Sequence, residues 1–579
     1  MDEPSAHQTR VAALRLLGTS DVHMHLTGWD ARTDDTDRTR GLARLANVIA
    51  AARASAPGAC VLLDNGDALQ GTPAADIAME PDMRADHPWP KLLDALGYTA
   101  VGLGNHDFDY GLGPLAEICA QSPCPVLSAS PDRPLSHVVS HTVINVPLVA
   151  SAPPLRLGLT SVLPPQTVVW NHGVLSGQID FAPGVAAARA AVTALRPLSD
   201  VIVLLCHSGI GPDGSEENFA STVAQQVPGI DAMILGHTHE RFPTRQGETL
   251  AGVPAVMPGF AADCLGQIDL TLAHNANGWH VTAHNSKLLH ATDAAPSATI
   301  TQISAPCLAR TRDVTEEIVG TALDPLHSYF AMVQSGGVDA LVAQAMRDTV
   351  AHAAPAEYSD VPILAAVAPL AAGGRAGPRN YVDIPTGPLR RRHVTMISPY
   401  LNSIWAQRMN GTTLRRYAET SAAFFGAGND ACKDTLVSSH SPAFNFDMLH
   451  GLETTIDPSA PTGARITSLR YDGQDLRDDD VFLVAMTSYR AAGGGGFPGT
   501  GPDAAVQTDI ALSDALVMTL GAANAGVQPS VWQFAPDLHQ RVTIETSPRA
   551  EAHLDDIARF DPEPMGLTSA GFLKVAVTL

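Results

Sequence analysis

Five short apolar runs in the first half of the chain each stop on a polar cluster, and that punctuation constrains the fold more than any other feature. Residues 14–17 run into Gly18-Thr19-Ser20-Asp21-Val22-His23, residues 60–63 into Asp64-Asn65-Gly66-Asp67, and residues 101–103 into Gly104-Asn105-His106. Residues 201–206 meet His207, and residues 232–235 meet Gly236-His237-Thr238-His239. Runs of this length bounded by turn residues read as buried strands. Between them lie helical patterns such as 41–54, whose Leu42, Leu45, Val48, Ile49 and Ala52 share one face. Strands alternating with helices imply a layered α/β domain with covered sheets. Polar residues at the strand ends stand where an open sheet places its site.

Further along, residues 290–335 are less regular, and the expected junction follows Gly336-Gly337, after which residues 338–350 read as a helix. The chain then changes character, with Gly373-Gly374-Arg375, three arginines at 390–392, a Ser398-Pro399-Tyr400-Leu401-Asn402 turn and a glycine run at 493–496. The expected partition is a tail (1–13), a first domain (14–335), a linker helix (336–352) and an α+β second domain (353–579). No fixed-period repeat interrupts it.

Composition narrows the function. With 45% hydrophobic and 16% charged residues the chain is globular, which excludes coiled coil and collagen. Its 36 Lys and Arg against 59 Asp and Glu leave a net charge of −23, which opposes a nucleic-acid polymer or an anionic membrane surface as partner. Small phosphorylated substrates stay open, because a bound cation reverses the local sign. No apolar stretch reaches the length of a membrane span, and residues 1–10 have neither a basic n-region nor an apolar h-region. Read from Met1, the expectation is a soluble chain without an export signal. Seven cysteines are too few and odd in number for a disulfide framework. Only Cys119 and Cys124 invite pairing, and buried free thiols are the default.

A lone Asp-x-His is more often a capped turn than a metal ligand. Here the five strand ends together supply Asp21, His23, Asp67, Asn105, His207, His237 and His239, with His106 beside them. Buried carboxylates and imidazoles are costly without partners, so a structural explanation of the whole set is poor. Mixed nitrogen and oxygen donors suit Mn²⁺, Zn²⁺, Fe²⁺ or Co²⁺ better than Ca²⁺ or Mg²⁺ cages, and seven donors exceed what one ion uses. Two divalent ions are implied. Such a pair suits in-line displacement at phosphorus.

These blocks, with Gln70-Gly71-Thr72-Pro73, Asp107-Phe108-Asp109 and His207-x-Gly209, resemble the ordered signatures of the calcineurin-like metallophosphoesterases. The Asp109 spacing and the long C-terminal partner narrow the resemblance to the bacterial 5′-nucleotidase-like family. Residues 369–377, Phe444-Asn445-Phe446-Asp447 and residues 488–499 are most similar to the 2′,3′-cyclic-nucleotide 2′-phosphodiesterase/3′-nucleotidase branch. The implied fold is a layered α/β metallophosphoesterase domain, two packed sheets flanked by helices, followed by a 5′-nucleotidase-type substrate-binding domain.

The resemblance also implies roles. One ion falls to Asp21, His23, Asp67 and His239, the other to Asp67, Asn105, His207 and His237, with Asp67 as the bridge. His106 becomes the acid or oxyanion stabiliser, held by Asp109. On spacing alone Asp109 equally suits a helix start. In the second domain Tyr400 and Tyr489 match aromatics that sandwich a nucleobase, with Phe444, Phe446 and Phe497 as alternatives. Arg375 and Asn402 join them as substrate-binding candidates, Arg375 through a bidentate guanidinium. Arg390, Arg391 and Arg392 read as a solvated face. Thr487-Ser488 stands where relatives carry Asn-Asn, and His25 could tune the site.

The expected activity is hydrolysis of nucleoside 2′,3′-cyclic phosphates to 3′-phosphates and then removal of the phosphate, a step in nucleotide catabolism. The alternative is a 5′-nucleotidase or nucleotide-sugar hydrolase, and a different class is a nucleotide-binding protein with a dead metal site, which seven intact donors oppose. Small nucleotides are the implied partners, and no protein partner is indicated. The branch implies the periplasm, whereas a true start at Met1 implies the cytoplasm.

Overall fold

The computed structural model describes residues 10–579 apart from 151, 213, 277, 427–434, 438–442 and 523–530. It divides into two compact units, one ending at Asp313 and the other running from Val314 to Leu579.

The first unit is built on two seven-stranded sheets. In one, the order is Gly278–His290, Cys264–Asn275, Arg10–Thr19, Ala59–Asp64, Ala100–Gly102, Val126–Leu127 and Val138–Val139. In the other, Val253–Pro258, Ala232–Leu235, Val201–Cys206 and Leu155–Val162 run parallel and adjacent at its centre. All five expected apolar runs are strands. Val201–Cys206 shows why: Val201, Val203 and Leu205 join the core between the sheets, against Leu14, Leu16, Val61 and Leu63. Ile202, Leu204 and Cys206 point the other way, into a core with Ala188, Val192 and Leu195 of the helix Gly184–Leu195. A strand buried on both faces has no polar positions to spare, hence the continuous apolar run. The helix Leu42–Ala54 buries Leu42, Leu45, Ile49 and Ala52, the expected stripe.

The second unit centres on a five-stranded sheet ordered Met448–His450, Ile363–Val367, Val481–Thr487, Ser403–Asn410 and Val506–Ala511. Residues 298–315, in the stretch read as less regular with a polar helical pattern in its later part, form one helix, Ala298–Thr315, despite Pro306 inside it. The helix Gly337–Ala353 is not a linker: Leu341, Val342, Ala343, Ala345, Met346 and Val350 pack with Ala365 and Val367 in the core of the second unit. An amphipathic helix that starts within a pair of glycines resembles a connector in sequence, and only its packing partners reveal otherwise. The expected tail is likewise shorter, since Arg10 already pairs with His274 in the first sheet. Cys119 and Cys124 are free thiols. No helix among the described residues is long and apolar enough to cross a membrane.

Candidate metal centre

The seven expected donors sit in turns that leave the two central sheets at their strand ends. Asp21, His23, Asp67, His237 and His239 all have left-handed backbone, with φ of 53°, 48°, 55°, 72° and 59°. Such conformations cost about 1–3 kcal/mol each in non-glycine residues and cluster where surrounding structure over-determines them. The over-determination is visible. Asp21 N donates to Gly66 O at 2.9 Å, His23 N to Asp67 O at 2.9 Å and His237 N to Asp21 Oδ1 at 3.0 Å. His106 N donates to Asp67 Oδ1 at 2.7 Å. Two glycines make the crowding possible: a Cβ on Gly104 would stand 2.3 Å from Asp67 Oδ1, and one on Gly236 would stand 2.2 Å from Ser20 Oγ.

The side chains converge in two sets, Asp21 with His23 and His239, and Asp67 with His207 and His237. In the first set His239 Nε2 lies 3.5 Å and His23 Nε2 3.9 Å from Asp21 Oδ1, with the two nitrogens 3.1 Å apart. In the second, His207 Nε2 lies 3.0 Å from Asp67 Oδ2. Asn105 Oδ1 lies 2.8 Å from His237 Nδ1. Asp67 Oδ2 also stands 3.8 Å from His23 Nε2, so this carboxylate reaches both sets.

The chemistry of the donor set fits divalent ions. His23 Nδ1 lies 2.6 Å from Gln70 O, and His207 Nδ1 lies 2.8 Å from Asn65 O. A carbonyl only accepts, so both Nδ1 atoms carry protons and both Nε2 atoms turn toward the carboxylates, the tautomer-setting contact typical of ligating histidines. Asp67 Oδ2 and His207 Nε2 are buried without a hydrogen-bond partner, their close approach having no hydrogen-bonding angle. Burial raises Asp21 to about 7 and lowers His23 to about 4. His207 would fall on burial alone, but Asp67 and Asp21 hold it up at about 9. Protons and metal compete for the same lone pairs.

His106 belongs to neither set. Its Nδ1 lies 2.8 Å from Asp109 Oδ2. Burial alone would lower His106; Asp109 and Asp67 outweigh it and hold the imidazole at about 10. Asp109 therefore orients a cationic ring.

Several contributors have no counterpart in the expected list. The buried carboxylate of Asp107 accepts from four backbone N–H groups, those of Asp67 (2.9 Å), Ala68 (2.9 Å), Leu69 (3.0 Å) and Gly104 (2.8 Å). It thereby ties the Asp67 turn to the Asn105 turn. Trp170 stacks on His237 at 5.3 Å, Phe260 stacks on His239 at 4.8 Å, and Glu217 Oε1 lies 3.2 Å from His237 Nε2. Asn171 Nδ2 donates to Asn105 O at 3.1 Å. Asp107 is visible inside the Asn105-His106-Asp107 block; the others lie in segments without any spacing signal. His25 packs edge-on against Phe260, the ring that stacks on His239.

The second-unit candidates fare unevenly. Tyr400 is 39% exposed, and Asn402 follows it at the start of Ser403–Asn410, its carbonyl accepting from Leu512 N at 2.8 Å. Tyr489 lies half-buried in the short helix Ser488–Ala491. Phe497 is 4% exposed, its ring 4.7 Å from that of Tyr417 and with the Arg490 guanidinium 3.9 Å over it. Phe446 is equally buried, among Phe425 and Trp532. Arg490 is itself held by Asp447 at 2.8 and 3.1 Å. Arg375 lies on the turn Gly374–Ala376, and its side chain is outside the described residues. The three arginines are not simply solvated: Arg390 and Arg392 pair with Glu316, and Arg391 with Glu317.

Comparison with known proteins follows the same division. Residues 14–241 match the calcineurin-like phosphoesterase family, and residues 302–501 match the 5′-nucleotidase C-terminal domain. A Yersinia enterocolitica protein named 2′,3′-cyclic-nucleotide 2′-phosphodiesterase/3′-nucleotidase is 29% identical, the alignment covering 99% of this chain and 97% of that protein. The solved structure of the calcineurin-like phosphoesterase YfkN from Bacillus subtilis superposes with a TM-score of 0.50 at 28% identity, covering 52% of this chain and 99% of that one. A 5′-nucleotidase precursor from Thermus thermophilus shares the fold over 91% of this chain and 100% of its own, with a TM-score of 0.63 at 21% identity.

Proposed function

We propose that the chain, whose residues 14–241 match the calcineurin-like phosphoesterases and whose residues 302–501 match the 5′-nucleotidase C-terminal domain, is a metal-dependent hydrolase whose substrates are nucleoside 2′,3′-cyclic phosphates and 3′-nucleotides. It opens the cyclic ester to the 3′-phosphate and then releases the phosphate. The observation that carries the reading is the pair of donor sets, with Asp67 in one and its Oδ2 3.8 Å from His23 Nε2 of the other. It is supported by the printed names of full-length relatives from Yersinia enterocolitica and Salmonella typhimurium.

Asp21, His23, Asp67 and His239 would hold one divalent ion, and Asp67, Asn105, His207 and His237 the other. Ions so placed supply charge for the phosphoryl oxygens and acidify a water nucleophile. The protein's own contribution is positional and acid–base. The Nδ1–H groups of His23 and His207 donate to the backbone carbonyls of Gln70 and Asn65, which keeps each Nε2 aimed inward. His106 keeps its cationic ring beside the centre through Asp109, offering a proton and a positive charge to the phosphoryl group or the departing ribose oxygen. Tyr400 and Tyr489 are the proposed base contacts, and Asn402, Arg375 and Phe497 the further substrate-binding candidates. The resemblance supports a periplasmic role in nucleotide catabolism.

The test is product analysis with 2′,3′-cAMP, 3′-AMP and 5′-AMP, with and without chelator, in Mn²⁺, Zn²⁺ or Co²⁺. The expected result is 2′,3′-cAMP passing through 3′-AMP to adenosine, stopped by chelation. Hydrolysis of 5′-AMP alone would overturn the substrate assignment. Asp67→Asn should lose activity and metal together; two retained ions with near-normal turnover would refute the shared-ligand role.

A further inference from the structure

The second unit gathers two imidazoles and a carboxylate that the hydrolytic reaction does not use. His327 ends the short strand Leu326–His327, while His553 and Asp556 stand three residues apart on the 3-10 segment Pro548–Phe560. Residues i and i+3 of a 3-10 helix eclipse, so His553 and Asp556 rise on one face. His327 Nε2 lies 2.7 Å from Asp556 Oδ2, and His553 Nδ1 lies 3.7 Å from the same oxygen. One ligand-type atom from each of the three residues falls within 4.8 Å of the others. Tyr329 walls the cluster, its ring 5.0 Å from His327 and 5.4 Å from His553.

A hydrogen-bonded pair alone does not complete this arrangement. His327 turns its Nε2 to Asp556 Oδ2, and His553 Nδ1, 3.7 Å from the same oxygen, sits too far to bond it. Arg549, the nearby cation, is already paired with Asp383 at 3.1 Å. Two donors on one tetrahedral ion with bonds of ~2.0–2.1 Å lie about 3.3 Å apart. The 2.7 Å contact must therefore open slightly, and Asp556, with 48% of its side chain exposed, is free to turn.

We infer that His327, His553 and Asp556 form an accessory site for a divalent transition metal, separate from the phosphoesterase centre. Two imidazoles and one carboxylate select Zn²⁺, Co²⁺, Ni²⁺ or Cu²⁺ over Mg²⁺ and Ca²⁺, and three protein ligands leave a position for water. The ion would pin the Pro548–Phe560 segment to a strand 229 residues earlier in the chain. Closing so long a loop only in the folded state makes binding stabilising.

The experiment is equilibrium dialysis of the metal-stripped full-length protein against Zn²⁺, with bound zinc measured in wild type, His553→Gln and Asp556→Asn. Each variant should bind one zinc fewer than wild type and hydrolyse bis(p-nitrophenyl) phosphate at the wild-type rate. That difference is independent of how many ions the first centre holds, so the two assignments fail separately. Equal zinc in wild type and both variants would overturn the site. A readout without substitution is diethyl pyrocarbonate labelling of wild type, followed by peptide mass spectrometry. Zn²⁺ but not Mg²⁺ should protect His553, and unchanged labelling would equally overturn the inference.

Discussion

Asp107→Asn is the sharpest probe of how the metal turns are held. The carboxylate accepts four backbone N–H groups, two on each oxygen: Ala68 and Leu69 on Oδ1, Asp67 and Gly104 on Oδ2. Burial and the nearby Asp67 raise its pKa to about 6, against the pull of those donors, so it is ionised at neutral pH. An asparagine amide can satisfy only two of the four, and its NH2 group then faces the other two donors. Hydrogen bonds to a charged group are worth about 1.5–3 kcal/mol each, so losing two costs about 3–6 kcal/mol. That is a large fraction of the ~5–15 kcal/mol that stabilises a domain. The loss falls where Asp67 is aimed. Urea unfolding followed by a first-unit tryptophan signal should show the lowered stability, and elemental analysis should show reduced metal content alongside slower ester hydrolysis. An Asp107→Asn protein with wild-type unfolding, metal content and turnover would falsify the claim that this carboxylate organises the centre.

His106→Ala should keep its metal content but lose roughly 10²–10⁴-fold in kcat, the usual range for a positioned acid or base; loss of metal would make His106 a ligand instead. Tyr400→Ala and Tyr489→Ala should impair hydrolysis of 2′,3′-cAMP while sparing bis(p-nitrophenyl) phosphate, because only the nucleotide has a base to stack; equal damage to both substrates sinks the base-contact assignment. His87, whose Nδ1 caps the helix Pro88–Leu96 by accepting from Trp89 N at 3.1 Å, is held down to about 3 by burial. Its folded pKa lies below the unfolded value of about 6.5, so the unfolded chain binds the proton first, and stability present above pH 6.5 is lost as pH falls toward 3, by at most about 1.4 kcal/mol per pH unit. His87→Asn, which retains a capping acceptor, should flatten that slope in urea titrations, whereas parallel profiles for the two proteins would show that His87 does not contribute to it.

What the sequence determined by itself was the part written in local patterns. A strand buried on both faces must be continuously apolar, and the turn that ends it must accept polar and left-handed residues, so 201–206 followed by His207 announces both a strand and a donor. All seven candidate donors share that pattern: each is within a few residues of its strand end, and the parallel strands carry those ends to one place. Tertiary structure alone decided what depends on residues distant in sequence. Which nitrogen of His23 and His207 faces inward is set by the carbonyls of Gln70 and Asn65. That Phe497 packs against Tyr417 and under Arg490 is likewise set by residues far from it in sequence or across a turn. The helix Gly337–Ala353 reads as a linker until its apolar face finds the sheet of the second unit. The cluster of His327, His553 and Asp556 leaves no trace in sequence, because its members are joined only by folding across 229 residues. Periodicity reports which face a residue occupies; the partner that covers that face is fixed by packing, which no local spacing records.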